Sequence, residues 1–487
     1  MSIAANLKDP LLFREMAYVG GEWLAAATGG TLSVVNPATG DAFGTVPAMG
    51  RVETHAAIAA AEAAFGGWRA RPNAERGRLI AAWHDLMLAN LDDLATIMTV
   101  EQGKPLTEAR AEVRYAAGFL KWFAEESCRI YGDTIPAPAR DRRILVLKEP
   151  VGVAAAITPW NFPAAMITRK AGPALAAGCP IIIKPSDLTP YSALALAVLA
   201  ERASIPKGIV SVLTGLPHEI GGELTSNMGV RKLSFTGSTR VGQLLMRQCA
   251  DTMKRVSFEL GGNAPFLVFD DADIDLAVAG LMASKFRNSG QTCVCANRVL
   301  VQDSIYERFA DSLSAAVSGL VVGNGMEDGV TIGPLINRAA VEKVARHVDD
   351  ARAKGATVLA YAKAAQGELF AEPMVLGGAN VDMALASEET FGPVAPLFRF
   401  RDEREAVEIA NATPYGLASY FFTSDVNRAW RVAEQLEFGM VGLNTGAVSI
   451  EAAPFGGIKQ SGIGREGSKY GIEEYLSIKA FHVGGLS

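Results

Sequence analysis

The strongest constraint on the fold is an alternation of short apolar runs with helical segments between residues 150 and 260. The apolar runs occupy 151–157, 181–184, 209–213 and 232–235. Segments with helical periodicity follow them near 164–177, 190–202, 218–227 and 238–249. Continuous apolar strands joined by crossover helices are typical of a parallel sheet that is covered on both faces. The sequence therefore predicts an α/β fold for this part of the chain.

Polar segments follow several of these predicted strands. They occupy 158–161, 184–187 and 236–238. Ligands of open parallel sheets bind beyond the carboxyl ends of the strands. We therefore expect these three segments to border a ligand site.

A glycine turn between the last of these strands and its helix contains Gly237 and Gly242. Free backbone N–H groups at the start of a helix suit a phosphate group. The spacing, however, is G-x-x-x-x-G, which differs from the dinucleotide fingerprint G-x-G-x-x-G, and the Lys-Ser/Thr pair of a P-loop does not follow. A phosphate site and a purely structural turn both remain open on this pattern.

The rest of the chain indicates a second α/β unit and a small β excursion. Residues 20–50 are typical of short strands, and 52–130 have a helical pattern. Strands and helices alternate again over 262–440, and short β-like runs occur at 144–147 and 475–483. A chain of 487 residues is too long for one ordinary core, so we expect two or three domains.

Charge, hydropathy and cysteine usage argue against several classes of protein. The net charge is -6 without a block of like charge, which argues against nucleic acid or an anionic membrane as the main partner. Apolar runs such as 194–200 are too short to span a membrane, and the N-terminus lacks the apolar centre of a signal peptide. Five cysteines fit a reducing cytoplasm better than a disulfide framework. The cysteines lack zinc-ligand spacing with a histidine, so we predict no metal site.

Two of the cysteines, Cys293 and Cys295, lie where an amphipathic run (274–285) breaks at Gly290 before an apolar, β-branched run begins. A thiol at such a break can point into a cleft, but a reactive thiol needs a nearby base, a cation or aligned N–H groups. Buried cysteines are more often small hydrophobic residues. The five histidines are scattered along the chain, so a carboxylate is the better candidate for a base.

Together, several stretches of the sequence resemble the aldehyde dehydrogenase superfamily, and the resemblance extends over essentially the whole chain. They are 158–163 (TPWNFP), 258–262 (FELGG), 290–293 (GQTC), 388–393 (EETFGP) and 454–457 (PFGG). The resemblance implies an oligomeric enzyme, a homodimer or homotetramer, made of three parts. They are a dinucleotide-binding domain (1–130 and 148–260), a catalytic domain (261–453) and a small β oligomerisation arm (131–147 and 470–487).

The resemblance also implies catalytic roles. Cys293 corresponds to the nucleophile that attacks an aldehyde carbon, and Asn161 to a side-chain amide that donates to the resulting oxyanion, together with the backbone N–H of Cys293. Such a donor is typically worth about 3 kcal/mol of the barrier. Glu259 corresponds to the base that activates water. Taken alone, Asn161 could instead cap a helix that begins at Pro163, and Glu259 could be a paired charge at a strand end.

The implied cofactor is NAD or NADP. The residues expected to bind it are Thr158, Trp160, Lys184, Ser186, Asp187, Gly237, Ser238, Glu389 and Phe391. A carboxylate at position 187 favours the ribose hydroxyls of NAD, whereas Ser186 could donate to the phosphate of NADP. NAD is slightly favoured, and use of both cofactors remains open.

Further stretches resemble the succinate-semialdehyde dehydrogenases within this superfamily. They are 166–170 (MITRK), 285–288 (KFRN), the Cys-Val-Cys sequence at 293–295 and 464–471 (GREGSKYG). In that subfamily two arginines and a serine bind the distal carboxylate of the substrate, and they correspond to Arg169, Arg287 and Ser449. Arg169 lies eight residues after Asn161, close to two helical turns, so it can share the face of Asn161. Arg287 lies about two turns before Cys293.

The expected reaction is the oxidation of succinate semialdehyde to succinate. Glutarate semialdehyde, one carbon longer, is the nearest alternative, because one methylene contributes only a few kcal/mol at most. A broader aldehyde dehydrogenase, or a non-catalytic structural relative, would be a third possibility. Cys295 is a possible disulfide partner of Cys293, although residues at i and i+2 of an extended strand point to opposite faces.

Overall fold

The computed structural model describes residues 3–486, and it confirms the predicted α/β fold. Within this range the chain forms twenty strands and fifteen α-helices, which alternate along most of its length. The strands are β1 (Ala17–Val19), β2 (Glu22–Leu24), β3 (Thr31–Val35), β4 (Ala42–Pro47), β5 (Asp133–Ile135), β6 (Arg143–Pro150), β7 (Val153–Ile157), β8 (Ile181–Lys184), β9 (Val210–Val212), β10 (Val230–Thr236), β11 (Arg255–Glu259), β12 (Ala264–Val268), β13 (Ala296–Gln302), β14 (Thr357–Tyr361), β15 (Met374–Ala379), β16 (Val394–Phe400), β17 (Ala418–Phe422), β18 (Met440–Leu443), β19 (Gly462–Ile463) and β20 (Leu476–Val483).

The helices surround the sheets, and short 3₁₀ turns link some of them. They are α1 (Arg51–Arg69), α2 (Asn73–Ala89), α3 (Leu91–Gln102), α4 (Leu106–Glu126), α5 (Ala165–Ala177), α6 (Pro190–Arg202), α7 (Pro217–Ser226), α8 (Thr239–Ala250), α9 (Ile274–Lys285), α10 (Tyr306–Ser318), α11 (Arg338–Ala353), α12 (Ala384–Ser387), α13 (Glu403–Asn411), α14 (Val426–Gln435) and α15 (Ser468–Glu473). None of the helices within residues 3–486 is long and apolar enough to cross a membrane.

The first large sheet has the strand order β19-β11-β10-β7-β8-β9-β1-β2. The central strands β11, β10, β7, β8 and β9 are parallel, and the outer strands are antiparallel to their neighbours. Strand order reverses direction at β7, because β8 lies on one side of it and β10 on the other. Ligands bind at such a switch point. The segments after β7 and β10 both begin there.

The second large sheet has the order β14-β15-β16-β13-β12-β17-β18, and all its pairs except β14–β15 are parallel. Residues 260–263 alone connect β11, the end strand of the first parallel run, to β12 of the second sheet. The carboxyl edge of the first sheet therefore adjoins the amino edge of the second. The loops that leave β7 and β10 meet the loops that enter β12 and β13 at this junction.

A third sheet has the order β20-β6-β5. Strands β6 and β20 pair over their full length, from Leu476 opposite Pro150 to Val483 opposite Arg143. The two segments that the sequence assigned to an arm are thus paired with each other. The division of the chain into domains remains a prediction, and residues 1, 2 and 487 of its ranges lie outside the described residues.

Helix α4 of the N-terminal helical region reaches the loop after β7, where Glu112 accepts a hydrogen bond from the N–H of Ala164. It packs against α5, where Phe119 and Phe123 are fully buried in a core that also contains Trp68 and Trp83. Burial of a large apolar side chain contributes roughly 1.5–3 kcal/mol. Helix α4 is therefore a rigid support on which polar side chains can be fixed near the loop after β7.

Candidate active site

Asn161 lies in the loop between β7 and α5 and is 3% exposed. Its backbone oxygen accepts hydrogen bonds from Lys104 Nζ at 2.8 Å and from Asn288 Nδ2 at 3.0 Å. Its side-chain Nδ2 donates to the Gln291 carbonyl oxygen at 3.0 Å, while Oδ1 has no hydrogen-bond partner among residues 3–486. An amide nitrogen has two N–H donors. One donor of Asn161 therefore holds the Cys293 loop, and the second is available for another acceptor.

The expectation that Asn161 and Arg169 share a helix face is wrong, because α5 begins only at Ala165. The alternative role of Asn161 as a helix cap is also wrong. Ala164 occupies the N-cap position, and the carboxylate of Glu112 accepts from the N–H groups of Ala164 and Ala165 at 3.0 and 3.3 Å. The side chain of Asn161 is thus not required to satisfy the start of the helix.

The segment before Cys293 is not helical either, so the expected two turns between Arg287 and Cys293 do not exist. Asn288 and Ser289 have φ values of 52° and 57°, which few residues other than glycine adopt. Buried hydrogen bonds hold this conformation: Glu108 Oε2 accepts from the Asn288 N–H at 2.8 Å, and Gln102 Nε2 donates to Asn288 Oδ1 at 2.9 Å. The surrounding structure therefore fixes the turn that carries Cys293.

The thiol of Cys293 lies at the wall of a cavity of about 350 Å³. Burial raises the pKa of this thiol to about 12, while the cations of Arg169 and Arg287 lower it and the carboxylates of Glu389 and Glu259 raise it. The resting group is therefore a thiol, not a thiolate. It needs a proton acceptor before it can attack.

Glu259 is the last residue of β11, between β10 and β19, and it is 3% exposed. Its Oε2 has no hydrogen-bond partner in the described part of the chain. Burial, and then the negative charge of Glu466, raise the pKa of Glu259 well above its usual value. A carboxyl group with a raised pKa is suited to exchange protons near neutral pH.

Two glycines allow the backbone to approach these groups closely. A Cβ at Gly262 would lie 2.6 Å from the backbone oxygen of Cys293, and a Cβ at Gly456 would lie 2.8 Å from Glu259 Oε1. Both distances are too short for a real contact. The glycines of the FELGG and PFGG stretches are thus explained by the space that Cys293 and Glu259 occupy.

A buried ionic network lies behind Glu259. Glu466 forms ion pairs with Arg169 Nε, at 2.8 Å, and with Lys170 Nζ, and Lys170 also donates to Thr236 Oγ1 at 2.7 Å. Backbone hydrogen bonds of 2.8 Å in both directions join Glu466 to Phe455. The resemblance rests in part on the stretches at 166–170 and 464–471, but nothing in the sequence predicts the contact between them.

Most of the predicted cofactor residues border the same cavity as Cys293. Those that line it are Trp160, Gly237, Ser238, Glu389 and Phe391. Gly262 N–H donates to Glu389 Oε1 at 3.1 Å, and burial raises the pKa of Glu389 to about 7. The rings of Trp160 and Phe391 meet edge to face, with centroids 5.7 Å apart. Ser238 caps α8, because its Oγ accepts from the Val241 N–H.

The remaining predicted cofactor residues lie away from the lining of this cavity. Lys184 Nζ pairs with the carboxylate of Asp187 and donates to the Pro185 carbonyl oxygen at 2.9 Å. Ser186 Oγ accepts from the Leu188 N–H at 3.2 Å, which leaves its own O–H to donate elsewhere. The buried Thr158 Oγ1 has no hydrogen-bond partner among the described residues. These polar groups fit a bound nucleotide, because they supply donors and acceptors that the protein itself does not fully use.

The two predicted substrate arginines lie on aromatic rings. The guanidinium carbon of Arg169 is 4.0 Å from the ring centre of Phe455, and that of Arg287 is 5.1 Å from the ring centre of Phe162. Arg169 is 1% exposed, and its Nη2 has no hydrogen-bond partner within residues 3–486. Arg287 is exposed and forms no ion pair with a described carboxylate. The third predicted residue, Ser449, makes a hydrogen bond through Oγ with the hydroxyl of Tyr115.

Cys295 is fully buried and points away from this chemistry. Lys285 Nζ donates to Cys295 Sγ at 3.4 Å and to Asn297 Oδ1 at 3.1 Å. All five cysteines lie within the described residues, and each is a free thiol. The disulfide with Cys293 therefore stays a prediction, and it would require Cys295 to leave Lys285.

Sequence patterns did not indicate several residues that hold the catalytic side chains in place. Lys104 forms an ion pair at 2.5 Å with Glu112, and both side chains are almost completely buried. Glu108 and Glu112 lie one helical turn apart among apolar positions of α4. Charged residues on the apolar face of a helix could have identified these supports from the sequence, because a buried charge is normally paired or functional.

The sequence profile described as the aldehyde dehydrogenase family matches residues 23–481. A glutarate-semialdehyde dehydrogenase of Pseudomonas putida is 61% identical and covers 97% of this chain and 98% of its own. The succinate-semialdehyde dehydrogenase [NADP(+)] GabD of Escherichia coli is 58% identical and covers 98% of this chain and 100% of its own.

A solved structure is also similar over the whole chain. The crystal structure of succinate-semialdehyde dehydrogenase from Burkholderia pseudomallei has a TM-score of 0.97 and 60% sequence identity. It covers 98% of this chain, and 99% of its own length is matched. The fold and the arrangement of secondary structure are therefore those of a solved protein.

Proposed function

Because the chain belongs to the aldehyde dehydrogenase family, we propose that it oxidises a short aldehyde with a distal carboxylate, namely succinate semialdehyde to succinate. It is an NAD(P)-dependent enzyme whose substrate is a small-molecule aldehyde.

The observation that carries the proposed substrate is the pair of guanidinium groups near the thiol of Cys293. The positive charges of Arg169 and Arg287 both act on that thiol, and Arg287 lacks an acid partner among residues 3–486. A planar guanidinium binds a carboxylate through two parallel hydrogen bonds. An anionic tail on the substrate would therefore pair with Arg287, and the buried Nη2 of Arg169, whose Nε is already paired with Glu466, would be a second donor.

In the proposed reaction Cys293 is the nucleophile. The Glu259 carboxylate takes the proton of the thiol as the sulfur bonds to the aldehyde carbon, which gives a thiohemiacetal oxyanion that the free N–H of Asn161 Nδ2 and the backbone N–H of Cys293 stabilise. Glu259 then releases this proton to solvent, so that it is again a carboxylate when water is activated. A bound NAD or NADP would supply the acceptor for the hydride of the aldehyde carbon, and loss of the hydride would leave a thioester on Cys293. An amide that Gln291 already holds in place costs little reorganisation when the oxyanion forms.

Hydrolysis of the thioester needs a water molecule and a proton acceptor. We assign this role to Glu259, since its Oε2 has no hydrogen-bond partner in the described chain and its pKa is raised by burial. The carboxylate takes a proton from water as the oxygen bonds to the thioester carbon, and the sulfur of Cys293 leaves.

The residues that would hold the nucleotide lie along the carboxyl edge of the first sheet. Glu389 and Phe391, with Trp160, are proposed to bind the nicotinamide half, and the turn at Gly237 and Ser238 the phosphates. The adenosine ribose is assigned to Lys184, Asp187 and Ser186, with Thr158 between the two halves. The unpartnered Thr158 Oγ1 among the described residues supports this assignment.

Glutarate semialdehyde is the second candidate substrate. It is favoured by the 61% identity to a glutarate-semialdehyde dehydrogenase of Pseudomonas putida. One additional methylene changes binding by only about 1–3 kcal/mol. The two substrates therefore differ in the degree of preference rather than in the mechanism.

The oligomeric state and the location are further proposals. We propose a homodimer or homotetramer that uses the arm, because apolar side chains of the β20-β6-β5 sheet are exposed, Ile478 at 72% and Phe481 at 48%. The domain boundaries given above are retained with it. A cytoplasmic location is proposed because the five cysteines are free thiols. Light scattering tests the former, and cell fractionation the latter.

A panel of aldehydes tests the proposed substrate. We expect kcat/KM to be largest for succinate semialdehyde or glutarate semialdehyde and much smaller for butanal and pentanal, with NAD and NADP each assayed. Arg287→Ala should lower kcat/KM for the acid-tailed aldehydes by about tenfold or more and leave the neutral ones nearly unchanged. Equal kcat/KM for acid-tailed and neutral aldehydes in the wild type would contradict the proposal.

A further inference from the structure

The hydroxyl of Tyr115 on α4 makes a short hydrogen bond with Ser449 Oγ, across 334 residues of sequence. Both side chains are half-buried, so each is partly accessible to solvent. The loop that carries Ser449 also packs on the same helix, where a Cβ at Gly118 would lie 3.3 Å from the Glu451 carboxylate. The hydroxyl pair is thus fixed to a rigid element.

Tyr115 and Arg169 both contact the ring of Phe119. The rings of Tyr115 and Phe119 meet edge to face at 4.9 Å, and the guanidinium carbon of Arg169 lies 5.1 Å from the centre of the Phe119 ring. Burial lowers the pKa of Arg169, but the nearby Tyr115, Glu466 and Glu259 raise it overall. Tyr115, Ser449 and Arg169 therefore form one polar group around Phe119, and none of the three lines the cofactor cavity.

A hydrogen-bonded pair of hydroxyls has a donor left over. One O–H is used between Tyr115 and Ser449, and the other is free to donate. A carboxylate has about four acceptor sites, more than one guanidinium can fill. A carboxylate bound by Arg287 and Arg169 would thus have oxygen lone pairs left for the free hydroxyl.

We propose that the Tyr115 hydroxyl is a specificity-determining group that, with Ser449, binds the distal carboxylate of the substrate. This rests on the proposed function, because it assigns a further residue to the same substrate. Tyr115 acts on binding and not on the bond-making steps at Cys293. It therefore selects acid-tailed aldehydes by lowering their KM.

The test compares Tyr115→Phe with the wild type, since phenylalanine keeps the ring against Phe119 and removes only the hydroxyl. We expect KM for succinate semialdehyde to rise about tenfold with kcat within about twofold, because a hydrogen bond to a charged group is lost. Butanal should be oxidised as by the wild type. Tyr361→Phe, which removes a hydroxyl from an exposed tyrosine of β14, is the matched control and should change neither substrate.

Two further variants make the outcomes distinct. Ser449→Ala and the double variant Tyr115→Phe/Ser449→Ala should lose about as much as Tyr115→Phe alone, because the two hydroxyls act as one unit. If Tyr115→Phe lowers kcat/KM equally for butanal and for succinate semialdehyde, or changes kcat/KM for neither aldehyde, the role of Tyr115 in specificity is overturned. If Arg287→Ala also leaves the preference for acid-tailed aldehydes intact, the proposed function itself fails.

Discussion

Lys285 Nζ donates a hydrogen bond to the sulfur of Cys295 at 3.4 Å, in a fully buried position two residues from the thiol that borders the cavity. The contact orients Cys295 into the core, where the oxygen of Asn297 also holds Lys285. Two chemically identical residues in one short segment thus have different environments. Only Cys293 has access to the cavity.

This difference predicts opposite results for two matched substitutions. Cys293→Ala should abolish aldehyde oxidation, because the nucleophile is lost, whereas Cys295→Ala should keep kcat within about twofold. The rates are measured from the absorbance of the reduced nicotinamide, and mass spectrometry of enzyme with substrate and cofactor detects the acyl group on the wild type. A Cys295→Ala protein as inactive as Cys293→Ala would contradict the assignment of the nucleophile.

The same pair of variants tests the disulfide hypothesis. If an oxidant inactivates the wild type by joining Cys293 to Cys295, the mass falls by about 2 Da, and Cys295→Ala resists that loss of activity. If both thiols remain free after oxidation, the buried contact with Lys285 has kept Cys295 out of reach. A disulfide between these residues requires the loop to rearrange.

Neighbouring acids, Glu388 and Glu389, are predicted to have different effects on stability. Burial raises the pKa of Glu389 from 4.5 to about 7, so its protonated form stabilises the folded state below pH 4.5, and this contribution is lost as the pH rises through about 7. Relative to Glu389→Gln, the wild type should therefore lose up to about 3 kcal/mol between pH 5 and 8. Urea unfolding of the cofactor-free protein measures the difference.

Glu388 provides the control for this experiment. Hydrogen bonds from Arg346 and then His347 lower its pKa to about 2, so its stabilising contribution is present above pH 4.5 and is lost only as the pH falls toward 2. The difference between wild type and Glu388→Gln should therefore stay constant from pH 5 to 8. A pH dependence in that range for Glu388→Gln, or its absence for Glu389→Gln, would contradict the assignment.

The close approach of Gly456 to Glu259 predicts a specific loss of activity. A Cβ at position 456 would lie 2.8 Å from Glu259 Oε1 and from the Arg465 side chain, so Gly456→Ala should displace the carboxylate. We expect kcat to fall by about tenfold or more, as hydrolysis of the thioester slows while a first rapid burst of reduced nicotinamide persists. Gly66→Ala in α1, where a Cβ meets open space, is the control and should leave kcat unchanged.

The sheet and much of the site could be predicted because their signals are local. The strand Ile181–Lys184 and the helix Pro190–Arg202 have the predicted bounds, since apolar runs and helical periodicity are set within a few residues. The rule that ligands bind beyond strand carboxyl ends placed Trp160, Gly237 and Ser238 at one cavity.

The supports of the site could not be predicted because they join distant residues. Glu466 and Lys170 are 296 residues apart, and Tyr115 and Ser449 are 334 apart. Periodicity carries no information about such contacts. The left-handed turn at Asn288 could not be predicted for a different reason. Buried hydrogen bonds from elsewhere in the chain impose a conformation that its own sequence does not favour.

The buried pair of Lys104 and Glu112 is predicted to support both stability and catalysis. Glu112→Gln leaves the ammonium of Lys104 without its partner at 2.5 Å, so we expect a loss of about 3–5 kcal/mol in the free energy of unfolding. Because Lys104 also holds the backbone oxygen of Asn161, kcat should fall in the fraction that remains folded. Lys121→Met, which breaks an exposed pair with Glu125 on the same helix, should cost far less stability, because solvent screens that pair. If urea unfolding shows similar losses of stability in the two variants, burial does not increase the contribution of the Lys104–Glu112 pair to the free energy of unfolding.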